Sequence, residues 1–433
     1  MAIKNNCNRL DRPVTFGWNL IFGIVAIIAT LGVSISIAEA FTNGSTGVDG
    51  PLDFTGFESG TIIDFDPKTF TPPFDTDGDS VYHFTTINIP EGVTVKLRAN
   101  KAGFAPIRWL ATGAVIINGM VDLNGTNGHA ANRSLRGLSL PGPGGFHGGM
   151  GADAIMGVPA TQGFGPGGGC VTDNGKGWPA GHTTIHGGTD TNCPNLTKIY
   201  GTRFLLPLVG GSGGAGSRTT HGYSAAGGGA GGGAILIASP VSITVNGKIS
   251  ANGGSAVDGS GASGGSGGAI RLVSKIVTGN GRLTTDGGST WWWDSSPSSS
   301  GRTRIETLGS TFTGLISGEI TSVTMMPEPI LLPSSGSPVI RIASVDNLPV
   351  PSTPRGIFTP ADITINKPLP VAIAIEGKNI PIDTKVTITV LNETEGPIVI
   401  ESSPLAGTMD SSTATVDLKF PTGFSQIFTY AKW

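Results

Sequence analysis

Three aspartates lie at alternate positions in the segment FDTDGDSVY, namely Asp75, Asp77 and Asp79. Carboxylate oxygens gathered on a tight turn are the ligands that calcium prefers. An EF-hand loop, however, needs glycine at its sixth position and glutamate at its twelfth, where this chain has Ser80 and Thr86. The cluster therefore predicts either a calcium site of another kind or a turn whose acidic side chains are solvated.

His182 and His186 stand four residues apart, and Asp190 and Cys193 follow closely. On a helix this spacing places two imidazoles on one face, as zinc sites require. The surrounding segment is rich in glycine and has no helical periodicity, so the spacing carries little information here. A polar surface loop is the interpretation that we favour over a zinc site.

Trp291, Trp292 and Trp293 form a run of adjacent aromatic residues beside a serine-rich stretch. In a strand, neighbouring side chains point to opposite faces, so at least one of these rings is expected at the surface. Exposed aromatic faces stack on sugar rings and anchor interfaces. The run predicts a ligand-binding site, and packing at the edge of the fold is the alternative.

Catalytic motifs are not evident in the sequence. A glycosidase needs two carboxylates across the scissile bond, and a polysaccharide lyase needs a base such as lysine or arginine. The strands that we predict carry few charged residues, and nothing in the sequence pairs them: Asp122, Lys248, Arg271, Lys275, Arg282 and Asp286. No nucleophile elbow, P-loop or dinucleotide fingerprint occurs, so whether the chain is an enzyme stays open, with binding favoured.

Three copies of an eight-residue phrase indicate the architecture that positions these side chains. The copies begin at Asn118, Asn246 and Asn280 and share the form N-G-x-Φ-x-x-[N/D]-G, where Φ is apolar. Asn-Gly and Asp-Gly favour positive φ, so each copy predicts a corner, a short strand and another corner. Such repeats predict stacked coils that bury one another's apolar side chains. Strand alternation places the following residues in the interior: Val121, Leu123, Ile249, Ala251, Leu283 and Thr285.

The chain contains 69 glycines, and most of them lie between Gly137 and Gly288. This local density is far above the usual share of about 7%. The glycine clusters run directly into apolar strands such as AILIAS and AIRLVS. Glycine permits close approach of backbones, and three-residue spacing predicts packing as extended threefold helices. A large excursion between the first two copies must leave the stack of coils.

The N-terminus has the pattern of a secretory signal. Basic residues precede the apolar run 20–37, and Ala38-Glu39-Ala40 supplies the small residues that a signal peptidase recognises. We predict cleavage after Ala40, which leaves no membrane span in the mature chain. The alternative is an uncleaved anchor, because an apolar run of this length can just cross a bilayer.

Cysteine usage agrees with export. Cys7 leaves with the signal, and the mature chain keeps Cys170 and Cys193. An even pair in an oxidising compartment predicts a disulfide that closes a polar loop, and two free thiols are the alternative. Net charge is −3, with 13% charged residues, which excludes the basic patch that nucleic-acid binding needs.

The predicted fold class is all-β, with a glycine-rich right-handed parallel β-helix followed by an antiparallel β-sandwich. The predicted organisation is a signal peptide (1–40), a β entry region (41–105), the β-helix with a disulfide-closed loop (106–318), a linker (319–336) and the sandwich (337–433). Within the entry region, alternation over 83–89 and 93–99 predicts a hairpin-like pair of strands.

The glycine-rich part resembles a group of exported bacterial proteins with parallel β-helices of the pectin-lyase type. The shared phrases are GGGAILIAS, ITVNGKISANGG, GSGGAIRLVS and GRTRIE, within residues 80–310. The resemblance implies a β-helix outside the cytoplasm, often with a C-terminal sandwich, and it implies no particular activity. The expected role is an exported structural or adhesive component in the periplasm, at the cell surface or outside the cell. It would bind glycan or envelope material through the solenoid face, with a polysaccharide-active enzyme or a passive stalk as alternatives.

Overall fold

A computed structural model describes residues 41–76, 78–130, 138–152, 158–185, 199–219, 224–257, 260–290, 297–326, 328–332, 336, 338–351, 354, 361–392 and 397–433. The predicted signal peptide (1–40), Asp77, Cys193 and the tryptophan run 291–293 lie outside this part of the chain. The predictions made for those residues therefore stay predictions.

The all-β class is confirmed, since 39% of the residues are in strands and 2% are helical. The helical segments are a short 3₁₀ helix, Pro67–Thr69, and the four-residue α1, Ala99–Ala102. In the described part of the chain, neither helix is long or apolar enough to cross a bilayer.

Two parallel sheets make up the glycine-rich half. The first contains β1 (Gly50–Asp53), β3 (Val81–Ile89), β5 (Ile107–Ala111), β6 (Val115–Ile117), β8 (Ala234–Ser239), β9 (Ile243–Val245), β11 (Ala269–Gly279), β13 (Arg302–Phe312) and β15 (Glu319–Thr324). The second contains β2 (Ile62–Asp64), β4 (Thr94–Lys96), β7 (Met120–Asp122), β10 (Lys248–Ser250), β12 (Arg282–Thr284) and β14 (Leu315–Ile316).

Each of the long strands β3 and β11 pairs with two different shorter strands along its length. The first half of β3 pairs with β5 and its second half with β6, while β11 pairs with β8 and then with β9. The pairings β5–β8 and β6–β9 then close a ring. The first sheet is therefore a closed parallel barrel, and it is accompanied by a second parallel sheet. This arrangement differs from the simple solenoid of stacked coils that the repeats predict.

The repeated phrases stack in register, as predicted. Ile249 of β10 pairs with Val121 of β7 on one side and with Leu283 of β12 on the other. All three side chains are 0% exposed, and so are the predicted interior positions Leu123, Ala251 and Thr285. These side chains, apart from Thr285, belong to one apolar core that runs between the parallel sheets. Burial of this continuous core is the main stabilising contribution to the parallel half.

The glycine clusters form a second, backbone-bonded layer. Along 227–234, successive N–H groups donate in turn to three neighbouring segments, 123–129, 143–149 and 263–266. Each neighbour therefore receives every third N–H group, which is the geometry of an extended threefold helix. The predicted threefold packing is confirmed, and the described parts of the excursion fold back beside the sheets rather than away from them.

The physical reason for the Asn-Gly corners differs from the prediction. The corner glycines Gly119, Gly247 and Gly281 do not adopt the positive φ that we expected. A Cβ atom at Gly247 would lie 1.9 Å from the carbonyl oxygen of Gly119, and one at Gly281 would lie 2.1 Å from that of Gly247. Glycine is required here because consecutive corners stack with their backbones in contact.

The entry region is part of the parallel sheets, and the predicted hairpin is wrong. Strand β3 pairs with β1, β5 and β6, and β4 pairs with β2 and β7, all in parallel. Alternation of apolar residues indicates a half-buried strand but does not indicate its partner. Residues 319–324, which we assigned to the linker, form β15 and pair with β13.

The C-terminal part forms two antiparallel sheets around a shared apolar core. One contains β16 (Val339–Val345), β17 (Leu348–Pro349), β18 (Val371–Lys378), β21 (Ala406–Thr408) and β22 (Ser411–Leu418), and the other contains β19 (Lys385–Asn392), β20 (Ile398–Pro404) and β23 (Ser425–Ala431). The described residues 361–365, whose alternation predicts a strand, do not form one. Phe428 of β23 stacks on Phe164 at 4.3 Å between ring centroids, which joins these sheets to the glycine layer.

Candidate functional site

A ladder of small polar and apolar side chains runs along the outside of the first parallel sheet. Asn88, Ile116, Thr244, Thr278 and Thr311 lie in register on consecutive strands, and we call these five residues the threonine ladder. Their neighbours along each strand, such as Val115 and Ile243, are buried, so alternation directs the ladder outward.

The ladder is regular, and each of its residues is at least partly exposed. Parallel strands are about 4.8 Å apart, so the distance from Asn88 to Thr311 is about 19 Å. The hydroxyl groups of Thr244 and Thr278 are hydrogen-bonded at 3.1 Å. Ile116 is 37% exposed, and Ile276, two residues before Thr278 on β11, is 49% exposed. In strand order the ladder therefore presents one amide group, one aliphatic group and three hydroxyl groups.

The surface around the ladder carries no charge at ten positions. These are the five ladder residues and the residues two positions before each of them, namely Thr86, Ala114, Ser242, Ile276 and Gly309. At its lower end the row continues to Asp53, which pairs with Asn88 and accepts a hydrogen bond from the N–H of Thr55 at 2.9 Å. Charge is thus confined to the end of the row.

An asparagine corner borders the ladder. Asn118 and Asn246 open two of the repeated phrases, and the amide nitrogen of Asn246 donates to the Oδ1 atom of Asn118 at 2.9 Å. Each asparagine lies two residues after a ladder residue, at the corner that follows its strand. The ladder was not predicted from the repeats, although the residues two positions before their opening asparagines are Ile116, Thr244 and Thr278.

The aspartate turn is held by its own backbone. The Oδ1 and Oδ2 atoms of Asp75 accept from the N–H groups of Asp79 and Ser80 at 3.0 and 3.2 Å. Asp79 accepts from the N–H of Val81 at 2.8 Å. Among the described residues, no group of three histidine, cysteine, aspartate or glutamate side chains is arranged to hold a metal ion. Asp77 is not described, so a calcium role for the turn stays a prediction.

His182 is a core residue, and the expectation of a surface loop is wrong at this position. It is 0% exposed, its Nδ1 atom lies 2.7 Å from the carbonyl oxygen of Gly267, and its ring stacks on Tyr200 at 4.4 Å. Burial lowers the pKa of His182 to about 4, which keeps the ring neutral. The other residues of the proposed zinc set, 186, 190 and 193, lie outside the described chain.

Of the predicted disulfide only Cys170 is described, and the predicted tryptophan site lies wholly outside the described residues. Cys170 is 4% exposed within the glycine layer. Its predicted partner Cys193 and the ligand-binding candidates Trp291, Trp292 and Trp293 lie outside the described residues. Both proposals stay predictions.

A buried ionic cluster was not predicted. Glu306 is 1% exposed, and its Oε1 atom lies 2.7 Å from Nη2 of Arg271 and 2.8 Å from Nε of Arg304. The remaining donors bind the segments that cover this face: Arg271 to the carbonyl oxygen of Ile330, and Arg304 to that of Arg203. The cluster is a structural clamp, because its donors and its carboxylate are used inside the protein.

A small polar depression lies on the second parallel sheet, lined in part by Lys96, Arg98 and Asp122. Lys96 is the register partner of Asp64 on one neighbouring strand and of Asp122 on the other, so an acidic residue lies next to it in the sheet on both sides. Arg98 lies 3.4 Å from the carboxylate of Asp64. The depression therefore brings together acidic and basic side chains of the kind that acid–base catalysis uses.

Comparison with known proteins gives no relative from which a role can be transferred: no family model, no curated protein and no solved structure matches this chain.

Proposed function

We propose that this chain is an exported structural or adhesive protein that binds glycan or other envelope material through its long parallel face. The observation that carries the proposal is the threonine ladder, an uncharged and regularly spaced row of side chains. Hydroxyl and amide groups on such a surface hydrogen-bond to sugar hydroxyls, and aliphatic groups between them contact the faces of the rings. The site of action is the periplasm, the cell surface or the medium.

The finer architecture belongs to the same proposal. The in-register repeats, the two parallel sheets and the shared core support a parallel β-helix whose longest strands bend around a corner, followed by a β-sandwich. Such a helix would hold the ladder rigidly. The tryptophan run would add aromatic contacts, and calcium bound at the aspartate turn would fix the first coils.

The enzyme alternative rests on the depression around Lys96 and Asp122. In that case Asp122 would act as the acid or base and Lys96 would orient it. The passive-stalk alternative places binding on the C-terminal sheets, where Tyr430 is 61% exposed. Both alternatives name residues on surfaces other than the threonine ladder, so one assay with different readouts separates them.

The test uses the mature chain from Phe41 with a panel of soluble and insoluble polysaccharides and isolated envelope material, with and without calcium. Protein depletion and the release of reducing or unsaturated ends are measured together. We expect depletion without product. Product release that is lost in Asp122→Asn would contradict adhesion and establish the enzyme. Absence of both signals would favour a structural or protein-binding role.

Export has its own test. Mass spectrometry of the N-terminus of the secreted protein is expected to find Phe41 as the first residue. A chain that retains the apolar run 20–37 would contradict cleavage and indicate a membrane anchor.

A further inference from the structure

We infer that the threonine ladder binds an ordered surface of neutral, β-1,4-linked polysaccharide chains rather than single soluble chains. The inference rests on the proposed function and specifies its ligand class. It is argued from the charge, the spacing and the rigidity of the ladder surface.

Charge selects a neutral ligand. The ten positions of the ladder surface carry no ionisable side chain, whereas the second parallel sheet presents Lys96, Asp122, Lys248 and Arg282. Acidic polysaccharides, nucleic acids and anionic lipid headgroups all need cationic partners. An uncharged, hydroxyl-rich surface complements the ladder without leaving an unpaired charge.

Spacing selects a chain that runs along the ladder. Neighbouring positions are about 4.8 Å apart, so every second position recurs at about 9.6 Å. That repeat is close to the length of a β-1,4-linked disaccharide unit, so successive units of a glycan chain meet Asn88, Thr244 and Thr311, which all carry hydrogen-bonding groups. Along each strand, outward residues such as Ile276 and Thr278 are about 6.6 Å apart, which provides a second column for a neighbouring chain.

Rigidity selects a ligand that is ordered before it binds. Each hydroxyl contact is weak because it replaces a hydrogen bond to water. Useful affinity therefore needs many simultaneous contacts. Once one contact has formed, it raises the effective concentration of the neighbouring sugar units at the other ladder residues. A soluble chain must lose its conformational freedom and reaches one column, whereas chains already fixed in a surface reach both columns at no such cost. The ladder is itself fixed by its strands and by the buried core beneath it.

The experiment compares binding of the mature chain to crystalline cellulose, crystalline chitin, amorphous cellulose, alginate and soluble cellohexaose. The test variant is Thr278→Lys, which places an ammonium group in the middle of the ladder. The matched control is Thr413→Lys, an exposed threonine on β22 of the C-terminal sheets. Equal thermal unfolding midpoints verify that both variants fold.

We expect wild type and Thr413→Lys to bind at least one crystalline polysaccharide, with at least tenfold weaker binding to amorphous cellulose. Thr278→Lys is expected to lose at least tenfold in affinity, and a large excess of cellohexaose is expected not to compete. Equal affinity for cellohexaose, or binding to alginate alone, would overturn the inference.

Two further outcomes separate this inference from the proposed function. Depletion by envelope material that Thr278→Lys leaves unchanged would overturn the ladder as the site and keep adhesion. Depletion by no material would overturn both. Shaping of ice crystals without binding to polysaccharide would assign the same surface to frozen water and overturn the inference.

Discussion

Gly231→Ala is expected to unfold much of the glycine layer, because the new methyl group would enter a closed circuit of backbone hydrogen bonds. The N–H of Gly231 donates to the carbonyl oxygen of Phe146, the N–H of Phe146 to that of Gly211, and the N–H of Gly211 to that of Gly232, at 2.9, 3.0 and 2.7 Å. The Cβ atom would lie 1.8 Å from the Gly211 oxygen.

The magnitude follows from the shift that the methyl group requires. Ordinary contact begins at 3.4 Å, so the segments around Gly231 and Gly211 must separate by about 1.6 Å. Such a shift breaks the two bonds that span the gap, since hydrogen bonds weaken strongly beyond about 3.2 Å. The two broken bonds leave four buried backbone groups without partners, at about 1–3 kcal/mol each, so we expect a loss of at least about 4 kcal/mol. That is a large part of the roughly 5–15 kcal/mol that stabilises a typical domain.

The assay is urea unfolding of the mature chain, and the matched control is Gly309→Ala. Gly309 lies in β13, a methyl group added there would have nothing within 4 Å, and its φ is not in the left-handed region. We expect this control to be unchanged or more stable by up to about 1 kcal/mol, because alanine reduces the entropy of the unfolded chain. Overpacking alone typically costs about 1–3 kcal/mol. If the free energies of unfolding of the two variants differ by less than about 0.5 kcal/mol, the backbone-bonded glycine layer is therefore refuted.

Acidification is expected to destabilise the protein through two buried histidines, since burial lowers the pKa values of His147 and His182 to about 4. The unfolded state binds more protons from about pH 6.5 down to about pH 4, so stability falls over that window by about 3 kcal/mol per histidine. Urea midpoints against pH measure this, and His182→Gln should flatten the curve; equal slopes would disprove the role of His182. Glu306→Gln is expected to cost about 3–5 kcal/mol by leaving buried arginines without a counter-charge, against at most about 1 kcal/mol for the exposed Glu376→Gln. Similar denaturation midpoints for these two variants would contradict the clamp.

The sequence predicted those features of the fold that repeat at short range. The positions of Val121, Ile249 and Leu283 in a buried register follow from an apolar residue at one place in each phrase. The partner of each strand did not follow, because β3 has the same alternation whether its neighbour is antiparallel or parallel. The reason why glycine occurs at position 247 also required the structure. Both a close approach of two backbones and a positive φ select glycine, so the sequence does not distinguish these two causes.

The candidate site was harder to predict than the fold. Thr244 and Thr278 acquire meaning only when the register of the strands places them side by side. The acidic turn around Asp75 shows the opposite case, because spacing suggested metal ligands and the carboxylate is engaged by backbone N–H groups. Burial of Glu306 with two arginines depends on segments that cover the sheet from distant parts of the chain, which periodicity does not reveal.

Oxidative footprinting of the mature chain, free and bound to crystalline polysaccharide, tests the central claim most directly. Ile116 and Ile276 are the reporters on the ladder surface, at 37% and 49% exposed, and Tyr430 is the reporter on the C-terminal sheets, at 61%. The ladder account predicts that binding protects both isoleucines from oxidation and leaves Tyr430 unchanged. Protection of Tyr430 with the isoleucines still reactive would contradict it and transfer binding to the C-terminal sheets.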